Sequence, residues 1–200
     1  MRWEAAYERN AYNPVSSSPP IRYLQGLRTN ILVTAVHAVN ITRDSRPKQA
    51  DRGTAGLVLW LHDRAEVDGL IVEQDTPDAV TGLIMDRLTR IRSRLELVVD
   101  LHGMLDQRGI DLEIGTGGSR DSTVLTAASD LADRAKASGL CAVTDEVFRA
   151  TRPDCVVTLC TQLGIPAVQI ELAARIRPPK GEPVGMSAVQ NTVRDWIEHV

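Results

Sequence analysis

Short apolar runs separated by longer amphipathic stretches set the pattern of this chain. The runs are ILVTAV (31–36), LIVEQ (70–74), LELVVDL (95–101), IDLEI (110–114), LCAV (140–143) and PAVQI (166–170). Several are rich in Val and Ile without polar alternation, as strands are when both faces of their sheet are covered. Between them, apolar positions recur at helical spacing over 54–62 and 78–94, and further helices are expected over 122–138, 153–163 and 187–198. Asp78, after Pro77, is the expected N-cap of the second helix, whose last turn is rich in arginine; Gly164 is the expected C-cap of the fourth. Strand alternating with helix predicts an α/β three-layer sandwich around a mostly parallel central sheet, with IDLEI, after a short loop, as an antiparallel ribbon.

Residues 1–25 are polar and turn-rich, with SSSPP as a breaker, and read as an N-terminal arm ahead of a single domain over 26–200. Trp3, Tyr7 and Tyr12 equip that arm to dock on the body or on a second copy of the chain, which leaves a homo-oligomer open.

A length of 200 residues with 43% hydrophobic residues suffices for one core. A net charge of −3 and an aromatic content of 4% argue against nucleic acid and against an anionic membrane as partners. No run approaches the roughly 18 apolar residues of a membrane span, and MRWEAAYERNAYNPVSSSPP lacks the apolar core of a signal peptide. Cys141, Cys155 and Cys160 form no CxxC and read as small core residues in a reducing compartment. The expectation is a soluble, cytoplasmic protein.

In open α/β sheets, ligands bind beyond the carboxyl ends of the strands. His37 follows ILVTAV, His102 follows LVVDL and Glu171 follows PAVQI. A lone histidine on an apolar segment is more often structural, and His62 and His199 are read so. Two histidines and a glutamate at equivalent places on separate strands are a different observation. Two imidazoles and a carboxylate with one open position make the ligand set of a catalytic zinc ion. Such an ion polarises a carbonyl and lowers the pKa of a bound water to about 7, while a second carboxylate acts as general base. Asp44 and Asp51 are the candidates for third ligand; Asp51 is favoured because ADRGT immediately precedes a helix and can point back to the strand end. Asp100 shares the strand face of His102 and is a candidate to orient it. EIGTGGSRDS is either a turn or a backbone-amide nest for an anion, and it matches neither a P-loop nor GxGxxG. Arg43, Arg46, Lys48 and Arg52 read as a solvated loop, unless one lies near a metal and clamps a carboxylate.

VVDLHGM, DLEIGTGG, HAVN followed by RPKQADRGT, and VQIELAARIR together resemble the N-formylglutamate amidohydrolase family, across roughly residues 31–177. That family is akin to the zinc carboxypeptidases and shares their phosphorylase/hydrolase-like fold. The resemblance implies a zinc-dependent hydrolase of a C–N amide bond, acting on a carboxylate-bearing N-formyl or N-acyl amino acid or a small peptide. It implies His37 and His102 as metal ligands, an acidic residue of the DRGT segment (Asp51) as the third, and Glu171 as the catalytic carboxylate. Either Arg177 or Arg52 would neutralise the substrate carboxylate and the oxyanion. The chain departs from the H-x-x-E of related carboxypeptidases, with Asn40 where Glu would stand. That departure motivates an alternative, a catalytically inactive binding protein on the same fold. A further alternative is a metal hydrolase of an ester or a tailoring substrate, because a metal-activated water does not discriminate between these bonds.

Overall fold

The computed structural model describes all residues except 1–2, 44, 76, 107–108 and 178–182, with backbone alone at 43, 77–79 and 183–184. Numbered in chain order, the strands are β1 (Ile21–Leu24), β2 (Arg28–Ala35), β3 (Ile41–Arg43), β4 (Arg46–Lys48), β5 (Val67–Val72), β6 (Leu97–Met104), β7 (Leu112–Gly115), β8 (Ala142–Thr144) and β9 (Ala167–Ala173). The α-helices are α1 (Ala5–Arg9), α2 (Thr54–Ala65), α3 (Pro77–Ile91), α4 (Ser122–Ala137), α5 (Val156–Gln162) and α6 (Pro183–Ile197). A seven-stranded sheet has the order β1-β5-β2-β6-β9-β7-β8, and β3 and β4 form a separate hairpin.

The four central strands β5, β2, β6 and β9 run parallel. On one flank β1 pairs antiparallel with β5; on the other β7 pairs antiparallel with β9 and parallel with β8. Every residue of β5 and β9 is buried, which explains their apolar runs without alternation. Helices α2, α4 and α6 pack together over one face, while α3 and α5 cover part of the other. Trp196 on α6 is wholly buried and its indole N–H donates to the Ala127 carbonyl of α4 at 3.1 Å, which satisfies its polar edge inside the core.

The predicted three-layer sandwich and the mostly parallel sheet are what the chain forms, and each apolar run carries a strand. IDLEI is antiparallel, but its partner is β9, far along the chain, rather than a neighbouring ribbon. Asp78 lies inside the first turn of α3, because Pro77 already has helical geometry. Gly164 takes a left-handed φ of 68° directly after the last residue of the α5 cap, as a C-terminal glycine does. Cys160 is buried as expected, whereas Cys155 is half-buried and Cys141 is exposed. The first 25 residues contain both α1 and β1, and Glu4, Tyr7 and Tyr12 are buried in the body. The basic 43–52 segment begins at the end of β3 and includes β4; the β3–β4 hairpin is tied to the segment after β5 by a Thr42 N–H donated to Asp75 at 2.9 Å.

Candidate active site

His102 on β6 and Glu171 on β9 are register partners, so their side chains leave the same face of the sheet near the C-terminal ends of parallel strands. Asp100 and Gln169, two residues back on each strand, share that face and are also paired. Thr34 on β2 extends the polar row: its hydroxyl donates to Asp100 Oδ1 at 2.5 Å. Asp100 Oδ2 lies 2.8 Å from His102 Nε2. A carboxylate only accepts, so Nε2 carries the hydrogen and the other ring nitrogen, Nδ1, faces forward. Nδ1 is 3.3 Å from Asp51 Oδ2, and the His37 ring stands edge-on to the His102 ring with centroids 5.1 Å apart.

Local structure explains how Asp51 arrives there. Its N–H donates to the His37 carbonyl at 2.8 Å, so ligand candidates 14 positions apart in sequence are joined through the backbone. Asn40 holds the next residue back, its Oδ1 accepting from Ala50 N–H at 2.9 Å. The Asn40 amide then donates to Ala11 O at 3.0 Å and Asn13 Oδ1 at 3.1 Å, stitching the N-terminal segment to this turn. Just beyond Asp51, Gly53 adopts φ 89° as the N-cap of α2 and offers no side chain for capping. Glu4 supplies the missing acceptor: its carboxylate takes Gly53 N–H at 2.8 Å and Gly56 N–H at 2.6 Å, at the positive end of the helix dipole.

The electrostatics follow from burial and charge. Burial alone would lower the His102 pKa, but Asp100 behind it and Asp51 in front hold it well above the usual histidine range. Burial would raise Asp51, yet His102, with Lys48 and His37, brings it down to about 2. Glu171 moves the other way, to about 7, chiefly through burial, with Asp51 and Asp100 adding to the rise against His102 and Lys48. Gln169 donates to Glu171 Oε1 at 3.0 Å and fixes the carboxyl group. The arrangement thus combines a carboxylate-oriented imidazole, a second carboxylate facing it and a carboxyl group able to hold or release a proton near neutrality.

The donor set fits a metal ion in kind. With Nε2–H committed to Asp100, a neutral His102 turns a lone pair toward a carboxylate, and two acceptors face to face require a proton or a cation between them. Among the described residues, however, no group of three or more His, Cys, Asp or Glu that could hold a metal ion as it stands is present. Asp44, the other candidate ligand, lies outside the described residues.

The two arginines singled out from the sequence sit behind this cluster. Arg177 is buried and donates to three carbonyls: Leu172 through Nε at 2.9 Å, Arg52 through Nη1 at 2.7 Å and Met104 through Nη2 at 3.0 Å. Gly103 makes room for it, since a Cβ there would come within 2.5 Å of the guanidinium carbon. Arg177 therefore bonds β6, β9 and the Asp51–Gly53 turn together, and burial lowers its pKa. The Arg52 guanidinium lies over the Tyr12 ring at 5.3 Å. Neither lines the cleft above the cluster, a cavity of about 580 Å³; among the described residues, the cations that do are Lys48, Arg149 and Arg152. His62 binds the Val67 carbonyl and His199 is exposed, both away from this cleft.

One wall of the cleft is the 147–156 segment, held by residues the sequence reading missed. Glu113, register partner of Glu171 on β7, accepts N–H bonds from Val147 and, at 2.6 Å, from Phe148. Asp145 accepts from Thr116 N–H at 2.9 Å and its hydroxyl at 2.5 Å. In the glycine-rich segment, Gly117 donates its N–H to the Arg149 carbonyl at 2.8 Å, so amides of Thr116 and Gly117 anchor this wall. The sequence signal for Glu113 was weak: with Asp111 it alternates with Ile110, Leu112 and Ile114 in IDLEI, the pattern of a strand face turned to solvent. Glu4 and Asn40 had none, because their partners are remote in sequence.

No family model matches the chain, and no curated protein matches it. The fold is shared with solved structures of several hydrolases. A bacteriophage poly-gamma-glutamate hydrolase superposes with a TM-score of 0.62 at 14% identity, covering 98% of this chain and 95% of that one. The N-formylglutamate amidohydrolase from Ralstonia eutropha gives 0.57 at 10% identity, covering 90% and 98%. A metallo-carboxypeptidase from Burkholderia cenocepacia gives 0.54 at 10% identity, covering 99% and 68%. The suspected family thus stands among the structures that share this fold.

Proposed function

We propose that this protein is a zinc-dependent amide hydrolase acting on an N-formyl or N-acyl amino acid or a small peptide. The observation that carries the reading is the line Thr34–Asp100–His102–Asp51, with Glu171 beside it on the neighbouring strand. A buried carboxylate–imidazole–carboxylate row ending in a cleft is organised for a cation at its open end. The likeness of the fold to an amidohydrolase, a polyglutamate hydrolase and a metallo-carboxypeptidase supports the same reading.

His37, Asp51 and His102 would hold the zinc ion, which polarises a carbonyl and acidifies a water when bound. The remaining tasks fall to the chain. Asp100 keeps the His102 ring in one tautomer and orientation. Glu171, oriented by Gln169, takes the proton of the attacking water at a carboxylate oxygen and gives it to the departing amine nitrogen. Lys48, on the cleft wall, offsets negative charge near Asp51 and Glu171. Arg177 acts as a brace that keeps β6, β9 and the Asp51 turn in place, and Arg52 supplies the carbonyl that receives it.

Elemental mass spectrometry of the purified protein should find about one zinc per chain, absent from His102→Ala. Glu171→Gln should keep the metal and lose at least about 10²-fold in kcat on a cleaved N-acyl amino acid. A fully zinc-loaded protein that turns over no amide, peptide or ester would overturn the hydrolase reading in favour of a binding protein.

A further inference from the structure

The cleft is not uniformly polar. Away from the His102–Glu171 cluster it is walled by Val36 just after β2, Ile41 on β3, Val72 at the end of β5, Val80 and Ile84 on α3, and Val156 at the start of α5. Val80 and Ile84 stand four residues apart, hence on one face of α3, and both are nearly buried. These side chains reach the cavity from separate elements, so the apolar wall is built by the fold rather than by one chance segment. Its volume, about 580 Å³, falls in the range of roughly 300–1,000 Å³ that encloses drug-sized ligands. A formyl group would leave this wall untouched. An acidic side chain placed there would meet methyl groups that return none of its lost hydration.

We propose, on the basis of the hydrolase reading, that this wall is a substrate subsite. The preferred substrate carries an aliphatic or aromatic group of about four to eight carbons beside the scissile amide. The chain is therefore tuned to a lipophilic amide rather than to a formyl or polyglutamyl one. Burying such a group removes apolar surface from water at both partners, and each buried methylene favours binding by about fourfold.

The test has two arms. In the first, kcat/KM of zinc-loaded protein is measured on N-formyl-, N-acetyl-, N-butanoyl-, N-hexanoyl- and N-glutaryl-alanine, and on the N-acetyl derivatives of alanine, glutamate, leucine and phenylalanine. At least one series should climb tenfold or more toward its apolar members, with the acidic members lowest. In the second arm, binding of hexanoate, acetate, glutarate, leucine and glutamate is titrated by calorimetry, with no turnover required. Hexanoate or leucine should bind at least about tenfold more tightly than its acidic counterpart. Thr81→Trp fills the same wall from a half-exposed position on α3 without removing a core side chain, and it should abolish that preference in both arms. Apolar preference in binding without hydrolysis would keep the subsite and sink the hydrolase reading. Hydrolysis or binding that is flat, or that favours glutarate and glutamate, would overturn the subsite.

Discussion

Asp68 and Asp100 are both wholly buried in the central sheet, and the chain finishes them differently. Asp68 stands at the beginning of β5. It accepts from Gly26 N–H at 2.9 Å, from Arg94 at 2.7 Å and from the Tyr23 hydroxyl, and Arg94 also donates to Tyr23 at 2.6 Å. Every partner comes from the chain, and the cluster closes on itself. Asp100, toward the other end of the sheet, accepts from Thr34 and His102, but the row continues through His102 to Asp51 at the edge of a cleft. A buried acid whose donors are all internal contributes to stability. One whose donor is itself aimed at another acid is built to orient a group toward something outside.

This contrast is sharpest in the variants that remove each acid. Asp68→Asn should lower unfolding stability by about 2–3 kcal/mol in urea titrations, toward the lower end for a broken buried pair because Arg94 is partly exposed. Zinc affinity should stay unchanged in that protein. Asp100→Asn should do the converse: zinc affinity, measured by competition with a chelator, should fall about 10- to 100-fold, with a smaller change in stability. If both substitutions cost stability alone, the two clusters are equivalent and the distinction fails. Asn40→Ala should have the smallest effect, about 1–2 kcal/mol of stability from the lost bonds to Ala50, Ala11 and Asn13. An accompanying drop in zinc affinity would show that the N-terminal segment reaches the site through the Asp51 turn.

The parts of the fold that could be read from sequence were those decided locally. Apolar runs without alternation require burial on both faces, and that condition pointed to the central strands and the covered sheet. The candidate site was legible to the same extent: His102 and Glu171 stand out as polar residues where β6 and β9 near their ends, and the register joins them. What could not be read was anything depending on a distant partner. Asn40 looked like a missing metal ligand, yet it serves as the hydrogen-bond hub of a turn. Arg177 looked like a substrate cation, yet its guanidinium is occupied by three backbone carbonyls. β1 was hidden inside a polar arm because a four-residue edge strand has too little apolar pattern to declare itself.

The strand order also carries a consequence for how the chain folds. β9 is the last strand in sequence, yet it lies between β6 and β7, and among the described strands β7 pairs only with β8 and β9. Until β9 inserts, the β7–β8 pair has no edge to join, and the wall that Glu113 anchors has nothing to close against. Completion of the sheet and delivery of Glu171 are therefore one event. A nascent chain that has not yet released residues 167–173 from the ribosome holds two unfinished sheet edges and half a site. Such long-range closure slows folding, and it ensures that the Glu171 carboxyl group arrives only when the framework that orients it is in place.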